Sequence, residues 1–321
     1  MKVVVTGGAG FIGANLCREL VARPEVSQVV ALDNLSTGSA DNLAGVPVEL
    51  IEGSILDRPL LNDVVAGADA VVHLAARASV PRSVADPVAS HDANATGTLY
   101  VLEASRQVGA YAVVASSSSV YGSVSALPKH EDLATRPLSP YAASKLATEA
   151  YTLAYATSYG LPTLAFRFFN VYGPLQPAGH VYAAVIPAFV DAALRGEPLR
   201  VHGDGRQTRD FTYVGTVARI LADAAIGRVR SDVPVNLAYG SRTSLLELID
   251  RLSGLLGRPL EVAHEAPRTG DVRDSQAADD RLRALFPDVT PTPLEVGLAD
   301  TVAWFRGLPA YRGDLAATPG A

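Results

Sequence analysis

A chain of 321 residues that is 48% apolar can bury a large core, and its length suits two domains or one large domain with an appended lobe. Charged residues make up 19% and the formal net charge is -6, with no lysine-rich run, which argues against nucleic-acid or anionic-membrane partners. The single cysteine, Cys17, excludes an intramolecular disulfide and a cysteine-based zinc site, and no metal is expected.

The chain enters an apolar strand-like run directly after Met1-Lys2, so no signal peptide is expected. The uncharged stretch from Ala110 to Pro128 holds serines, Gly122 and a closing proline, which make it unsuitable as a membrane span. The expected location is the cytoplasm.

In chain order, Val3 to Thr6, Gln28 to Leu32, Val48 to Glu52, Ala70 to Ala75 and Ala112 to Ser116 read as strands. Each is nearly continuous in apolar residues, as in parallel strands covered on both faces. Helical segments such as Gly13 to Ala22 and Val88 to Gln107 lie between them. This alternation predicts an α/β fold, a Rossmann-type doubly wound parallel sheet. Leu161 to Phe169 reads as a further core strand, broken by Tyr172-Gly173-Pro174. Helices are expected near Ile186 to Leu194, Thr216 to Ile226 and Ser244 to Leu256. The expected division places a dinucleotide-binding domain at 1–172 with about 211–240, and a smaller substrate-binding lobe at 173–210 and 241–321.

Gly7, Gly10 and Gly13 fall between the first strand and the first helix. Glycines there permit a tight turn, close approach of a pyrophosphate to backbone N–H groups, and close helix–strand packing. Asp33 follows Gly13 by 20 residues and closes the second strand. A carboxylate at that place accepts both adenosine ribose hydroxyls and repels a 2′-phosphate, which points to NAD rather than NADP. Glycines alone make turns and an aspartate alone caps helices; strand, glycines, helix and acid together carry the cofactor reading.

Tyr141 and Lys145 stand four residues apart behind Pro140, which suits a helix start. One helical turn puts both side chains on one face. A phenol with a reference pKa of about 10 is a poor base at neutral pH. A nearby ammonium and a positively charged nicotinamide both favour the phenolate. The run Ser116-Ser117-Ser118-Ser119 ends the fifth strand, at the edge where open α/β sheets bind ligands, and one hydroxyl there can bridge substrate and tyrosine.

These residues sit in Thr6-Gly7-Gly8-Ala9-Gly10-Phe11-Ile12-Gly13, Asp33-Asn34-Leu35, His73-Leu74-Ala75-Ala76, Val120-Tyr121-Gly122, Tyr141-x3-Lys145, Arg167 to Pro174, Gly203-Asp204-Gly205 and Arg209-Asp210-Phe211. Over nearly its whole length the chain resembles the extended short-chain dehydrogenase/reductases, specifically their NAD-dependent epimerase/dehydratase group. The resemblance implies a catalytic set of Ser117, Tyr141 and Lys145. It implies NAD contacts at Gly7, Gly10, Phe11, Ile12, Gly13, Asp33, Asn34, Ser36, Thr37, Gly38, Ser54, Ile55, Leu74, Ala75, Ala76 and Asn94, beside Tyr141 and Lys145. Where many relatives carry Asp-Ile after the third strand, this chain has Ser54-Ile55, which removes a carboxylate acceptor near adenine.

For a UDP-sugar substrate the resemblance implies contacts at Ser79, Ser117, Ser118, Tyr141, Asn170, Val185, Arg209, Arg268, Asp271 and Ser275. Arginines suit a pyrophosphate through forked, charge-assisted hydrogen bonds, although a loop arginine such as Arg268 is otherwise a surface ion-pair residue. His73, with no clustered partner, is expected to be structural. Dehydrating and decarboxylating relatives carry extra carboxylates near the catalytic hydroxyl, where this chain has Ser118 and Ser119. The expected reaction is therefore reversible 4-epimerisation of a UDP-sugar, UDP-glucose and UDP-galactose favoured. The N-acetylhexosamine and glucuronate/galacturonate pairs are alternatives, and an NAD-binding regulator without turnover is a distant one. Relatives of this kind imply a homodimer. Ser275 stands where narrow hexose enzymes of the group carry tyrosine, so a roomier sugar site is expected.

Overall fold

The structure is a computed structural model that describes residues 1–178, 184–266 and 273–311. The first half holds β1 (Lys2–Thr6), α1 (Phe11–Val21), β2 (Gln28–Asp33), β3 (Glu49–Glu52), α2 (Arg58–Val65) and β4 (Ala70–His73). It continues with α3 (Val80–Ala85), α4 (Pro87–His91), α5 (Gly97–Val108), β5 (Tyr111–Ser117), α6 (Pro140–Tyr159) and β6 (Thr163–Phe168). Then come β7 (Asn170–Tyr172), α7 (Val185–Arg195), β8 (Leu199–His202), β9 (Thr208–Arg209), β10 (Phe211–Tyr213), α8 (Val214–Gly227) and β11 (Val235–Leu237). The last described elements are β12 (Thr243–Ser244), α9 (Leu245–Leu256), β13 (Val262–Glu265), α10 (Asp280–Leu285) and α11 (Leu294–Gly307).

Seven parallel strands form the main sheet in the order β11-β6-β5-β4-β1-β2-β3. The apolar runs of β1, β2, β4 and β5 are largely buried, as the sequence predicts, whereas β3, at the edge of the sheet, is exposed at both ends and half-buried between them. One face packs Leu16, Leu20, Val217 and Leu221 of α1 and α8 against Val3, Val5 and Val113. The other packs Leu61, Val64 and Val101 of α2 and α5 against Val4, Val30 and Val71. This is a Rossmann-type α/β fold. Smaller two-stranded pairings, β7 with β10, β8 with β13 and β9 with β12, lie after the first six strands. A second apolar cluster gathers Ile186, Phe189, Leu248, Leu252 and Phe305 from α7, α9 and α11.

Two expectations change. The helix expected from Val88 to Gln107 is α4, a π-helical stretch from Asp92 to Thr96, and α5. The hydroxyls of Thr98 and Thr148 donate to the Asn94 carbonyl, so this stretch packs polar groups and its backbone bonds are redirected. Such π turns recur at functional sites. The strand expected from Leu161 to Phe169 stops at Phe168, and the chain turns so that β7 pairs with β10 outside the main sheet. Tyr172 is thereby buried in the second cluster. Among the described residues, no helix is long and apolar enough to cross a membrane.

Candidate functional site

The glycine-rich turn is fixed by close approach. Gly7 has φ +72°, and a Cβ there would lie 2.7 Å from the Ala75 nitrogen. A Cβ on Gly13 would lie 2.1 Å from the Gly7 carbonyl oxygen. Gly10 caps α1 with no side-chain hydrogen bond, and the first turn through Phe11, Ile12 and Gly13 carries no acid. The helix start thus presents N–H groups and a positive dipole end to an anion.

Asp33 ends β2 with its carboxylate buried, accepting the Ala9 N–H at 3.0 Å and the Leu35 N–H at 2.9 Å. It ties the glycine turn to the loop beyond β2. Gly38 presses on Ala9, where a Cβ would come within 2.8 Å of the backbone. In that loop Asn34 accepts the hydroxyl of Ser36 at 2.7 Å, and Asn34, Ser36 and Thr37 are exposed. Ser54 accepts the Leu56 N–H at 3.1 Å, and Ile55 is buried against Gly97. A cradle that a Cβ would fill, an uncapped helix start and a carboxylate at the next strand end are the features a dinucleotide needs. The residues present fit NAD.

Leu74, Ala75 and Ala76 leave β4 beside this cradle and are half-buried. His73 behind them is buried, with Nδ1 2.7 Å from the Thr6 hydroxyl and Nε2 3.0 Å from the Thr98 hydroxyl. Thr98 donates to the Asn94 carbonyl, so Nε2 carries the proton and Nδ1 accepts from Thr6. Burial, then the nearby Lys145 charge, pushes the His73 pKa down to about 3. His73 is a neutral linker between β1, β4 and α5, as expected. Asn94 accepts the Arg77 N–H at 2.7 Å and donates to the Ser144 hydroxyl at 2.9 Å, which couples the π turn to α6.

Helix α6 starts with Ser139, whose hydroxyl accepts the Ala142 N–H at 3.1 Å, and Pro140 in the first turn. Tyr141 follows, and its backbone N–H donates to the Ser83 hydroxyl at 3.0 Å. Lys145, one turn on, donates from Nζ to the Ala115 carbonyl at 2.8 Å, at the end of β5. The Ser117 hydroxyl lies near enough to the Tyr141 phenol to favour its ionised form. Tyr141 and Lys145 thus lie one turn apart on α6, as their spacing predicts, and Lys145 meets the end of β5, the strand that Ser117 closes. Burial raises the Tyr141 pKa, opposed by the Ser117 hydroxyl, and burial lowers Lys145 to about 8. The expected lowering of the phenol by the ammonium is therefore not met in the protein alone: desolvation is the larger influence.

Sequence reasoning missed the support behind this face. Glu149, one turn beyond Lys145, forks onto Arg167 with contacts of 2.6 and 2.9 Å and accepts the Ser116 hydroxyl at 3.0 Å. The Arg167 guanidinium lies 4.7 Å from the Tyr121 ring centre. The four-residue spacing from Lys145 to Glu149 was the available signal. Ser83 gave none.

A cavity of about 730 Å³ is lined by Asn170, Val185 and Arg209, together with Gln176, His202, Gln207 and Phe211, which the sequence did not suggest. That volume suits a small-molecule ligand. Asn170 donates to the Asp210 carbonyl at 3.2 Å, and Arg209 donates to the carbonyls of Thr208 and Arg273 at 2.9 and 3.0 Å. Ser275 is outside this wall; its N–H donates to the Thr208 carbonyl at 3.1 Å. Ser79 caps α3 by accepting the Arg82 N–H at 3.2 Å, and Ser118 starts a short 3₁₀ turn after β5. Arg268 and Asp271 lie outside the described residues.

A family model described as the NAD dependent epimerase/dehydratase family matches residues 3–237. The chain belongs to this family. A UDP-glucose 4-epimerase of Mycolicibacterium smegmatis is 38% identical over 313 residues, which cover 95% of this chain and 99% of that protein. A Methanobrevibacter ruminantium UDP-N-acetylglucosamine 4-epimerase, solved with UDP-N-acetylmuramic acid, superposes with a TM-score of 0.90 at 35% identity. It covers 95% of this chain and 98% of its own. A Thermus thermophilus UDP-glucose 4-epimerase, solved with NAD, gives a TM-score of 0.85 at 36% identity, covering 96% and 99%. As a member of the NAD-dependent epimerase/dehydratase family, the chain is an enzyme and its cofactor is NAD.

Proposed function

We propose that this enzyme is a UDP-sugar 4-epimerase acting on UDP-glucose and UDP-galactose. The observation that carries the reading is the placement of Tyr141 and Lys145 one turn apart on α6 with Lys145 held at the end of β5, where Ser117 lies near the phenol, together with the glycine cradle and Asp33. NAD would be held by Gly7, Gly10 to Gly13, Asp33 and the neighbouring loops, by Leu74 to Ala76 and Asn94, and by Lys145. When bound it supplies the acceptor for the hydride at the sugar's C4 and, oxidised, a positive charge that favours the Tyr141 phenolate. Tyr141 takes the proton of the C4 hydroxyl and returns it when the 4-keto sugar is reduced on its other face. Ser117 donates a hydrogen bond to that oxygen and orients the phenol. Lys145 holds a ribose hydroxyl.

Asn170, Val185 and Arg209 bind the nucleotide in the large cavity. Arg268 and Asp271 complete that site, and Ser79, Ser118 and Ser275 border the sugar. Residues 1–172 with about 211–240 serve as the NAD-binding domain, and 173–210 with 241–321 as the nucleotide-sugar lobe. The separate apolar clusters of the sheet and of α7, α9 and α11 support that division. The enzyme works as a cytoplasmic homodimer, a state that light scattering tests.

Ser118 and Ser119 supply no carboxylate beside Ser117, so dehydration or decarboxylation has no extra acid or base there. The desalted protein, with no cofactor added, is expected to interconvert UDP-glucose and UDP-galactose. Accumulation of NADH in proportion to substrate would contradict the reading. A second reading, the N-acetylhexosamine pair, is favoured by Ser275 and by the likeness to the UDP-N-acetylglucosamine enzyme; the same assay with UDP-N-acetylglucosamine tests it.

A further inference from the structure

Asp210 is fully buried, and its carboxylate joins segments that are distant in the chain. One oxygen accepts the Ser241 N–H at 3.1 Å and the Ser241 hydroxyl at 2.8 Å. The other accepts the Ala277 N–H at 3.0 Å. Its main-chain carbonyl accepts the Asn170 side chain at 3.2 Å, and its chain neighbour is Arg209, a lining residue of the large cavity. The segment from Arg273 to Ala278 is held along its length. The Thr208 N–H donates to Arg273 at 3.2 Å, Ser275 donates to Thr208 at 3.1 Å, and Ala278 donates to Lys129 at 2.9 Å. Asp210 fastens this segment near its end, at Ala277.

We propose that Asp210 is a positioning residue for nucleotide binding, acting through Asn170, Arg209 and the segment from Arg273 to Ala278. The inference rests on the UDP-sugar reading of the large cavity. Asn170 and Arg209 lie on its wall, and their backbone frame is set by the bonds that the buried carboxylate makes. The Gln276 amide, which donates to the Gly240 carbonyl at 3.0 Å, joins the same two stretches beside it.

The carboxylate must be ionised for this. The Ser241 and Ala277 N–H groups can only donate, so ionisation favours both of these bonds, while the Ser241 hydroxyl can donate or accept. The charged groups on the surrounding segments are engaged elsewhere. Arg209 binds main-chain carbonyls, Asp274 accepts the Thr208 hydroxyl, and Arg242 pairs with Asp274. Lys129 donates to the Val124 carbonyl, Glu131 accepts the Asn236 N–H, and Arg281 pairs with Glu131. On the packed helices, Asp300 accepts the Tyr213 hydroxyl and Asp223 pairs with Arg23; Arg219 lies on α8. None of these is an ion-pair partner of Asp210, and burial pushes its pKa up to about 6.

The test is the affinity of the NAD-loaded protein for UDP-glucose by calorimetry, with KM and kcat, between pH 5.5 and 8. A sugar diphosphate diester does not titrate in this range. Kd and KM should be flat above pH 7 and rise toward about tenfold per pH unit below the Asp210 midpoint, with kcat changing less. At pH 8, Asp210→Asn should weaken binding by about 10–100-fold, as loss of charged hydrogen bonds does. It should also abolish the acid rise while leaving bound NAD and kcat near wild type. Ser241→Ala, a milder change, should move the rise to higher pH, because it removes a bond that favours the carboxylate. Unchanged affinity in Asp210→Asn, or an acid rise that Ser241→Ala leaves in place, overturns the proposal. Wild-type protein that fails to bind UDP-glucose at pH 8 overturns the UDP-sugar reading itself, and this inference with it.

Discussion

Glu149 and Arg167 form a two-pronged ion pair in which both side chains are almost fully buried, directly behind the helix face that carries Tyr141 and Lys145. The pair fixes α6 against β6 and, through the Ser116 hydroxyl, against the end of β5. Its net contribution to stability is small, because both ions are desolvated. Breaking it is another matter.

Glu149→Gln should therefore destabilise the protein by about 3–5 kcal/mol, since it leaves a buried guanidinium without its counter-charge. Replacing both partners, Glu149→Met with Arg167→Met, should cost less than the single change. Chemical denaturation of the variants checks this, and a double variant less stable than Glu149→Gln would contradict it.

The parallel sheet and its glycine turn were legible in the sequence because an apolar run with covered faces and a strand–glycine–helix succession each have few structural solutions. Asp33, Tyr141 and Lys145 were legible for the same reason, as side chains at a strand end or at helical spacing, whereas Ser117 was singled out of its serine run only by the family resemblance. The break at Asn94 was not, because it depends on hydroxyls from α5 and α6 converging on one carbonyl. Ser83 holding the Tyr141 N–H, and Asp210 holding Ala277, are likewise contacts between distant segments that no local pattern announces.

His73 gives the fold an acid-sensitive element. Its pKa falls from the ordinary 6.5 to about 3, so between those values the unfolded chain binds the extra proton. Stability from this group is fully present above about 6.5 and is lost as pH falls through that window. Asp210, raised from 3.8 to about 6, acts in the opposite sense over an overlapping range, so the His73 effect is read as a difference from wild type. His73→Gln should lower the melting temperature at pH 7.5 but shrink the drop between pH 7.5 and pH 5. An undiminished drop would assign the acid sensitivity to other groups.

Gly7→Ala should remove NAD. The left-handed backbone costs an alanine about 1–2 kcal/mol, and its methyl would meet the Ala75 nitrogen at 2.7 Å, so the turn has to shift. Absorbance of the supernatant after denaturation reports the bound cofactor. Cofactor content equal to wild type would contradict the role given to the turn.

The central claim is that the Tyr141 hydroxyl takes and returns the proton at the sugar's C4 oxygen. The most direct measurement is turnover of UDP-galactose by Tyr141→Phe, with bound NAD and melting temperature recorded on the same sample. General acid–base catalysis is worth about 10²–10⁴-fold, so kcat should fall by that factor while the cofactor stays bound. Ser117→Ala should cost less, and the double variant should lose less than the product of the two losses. Near-normal turnover by a folded, NAD-loaded Tyr141→Phe would contradict the account.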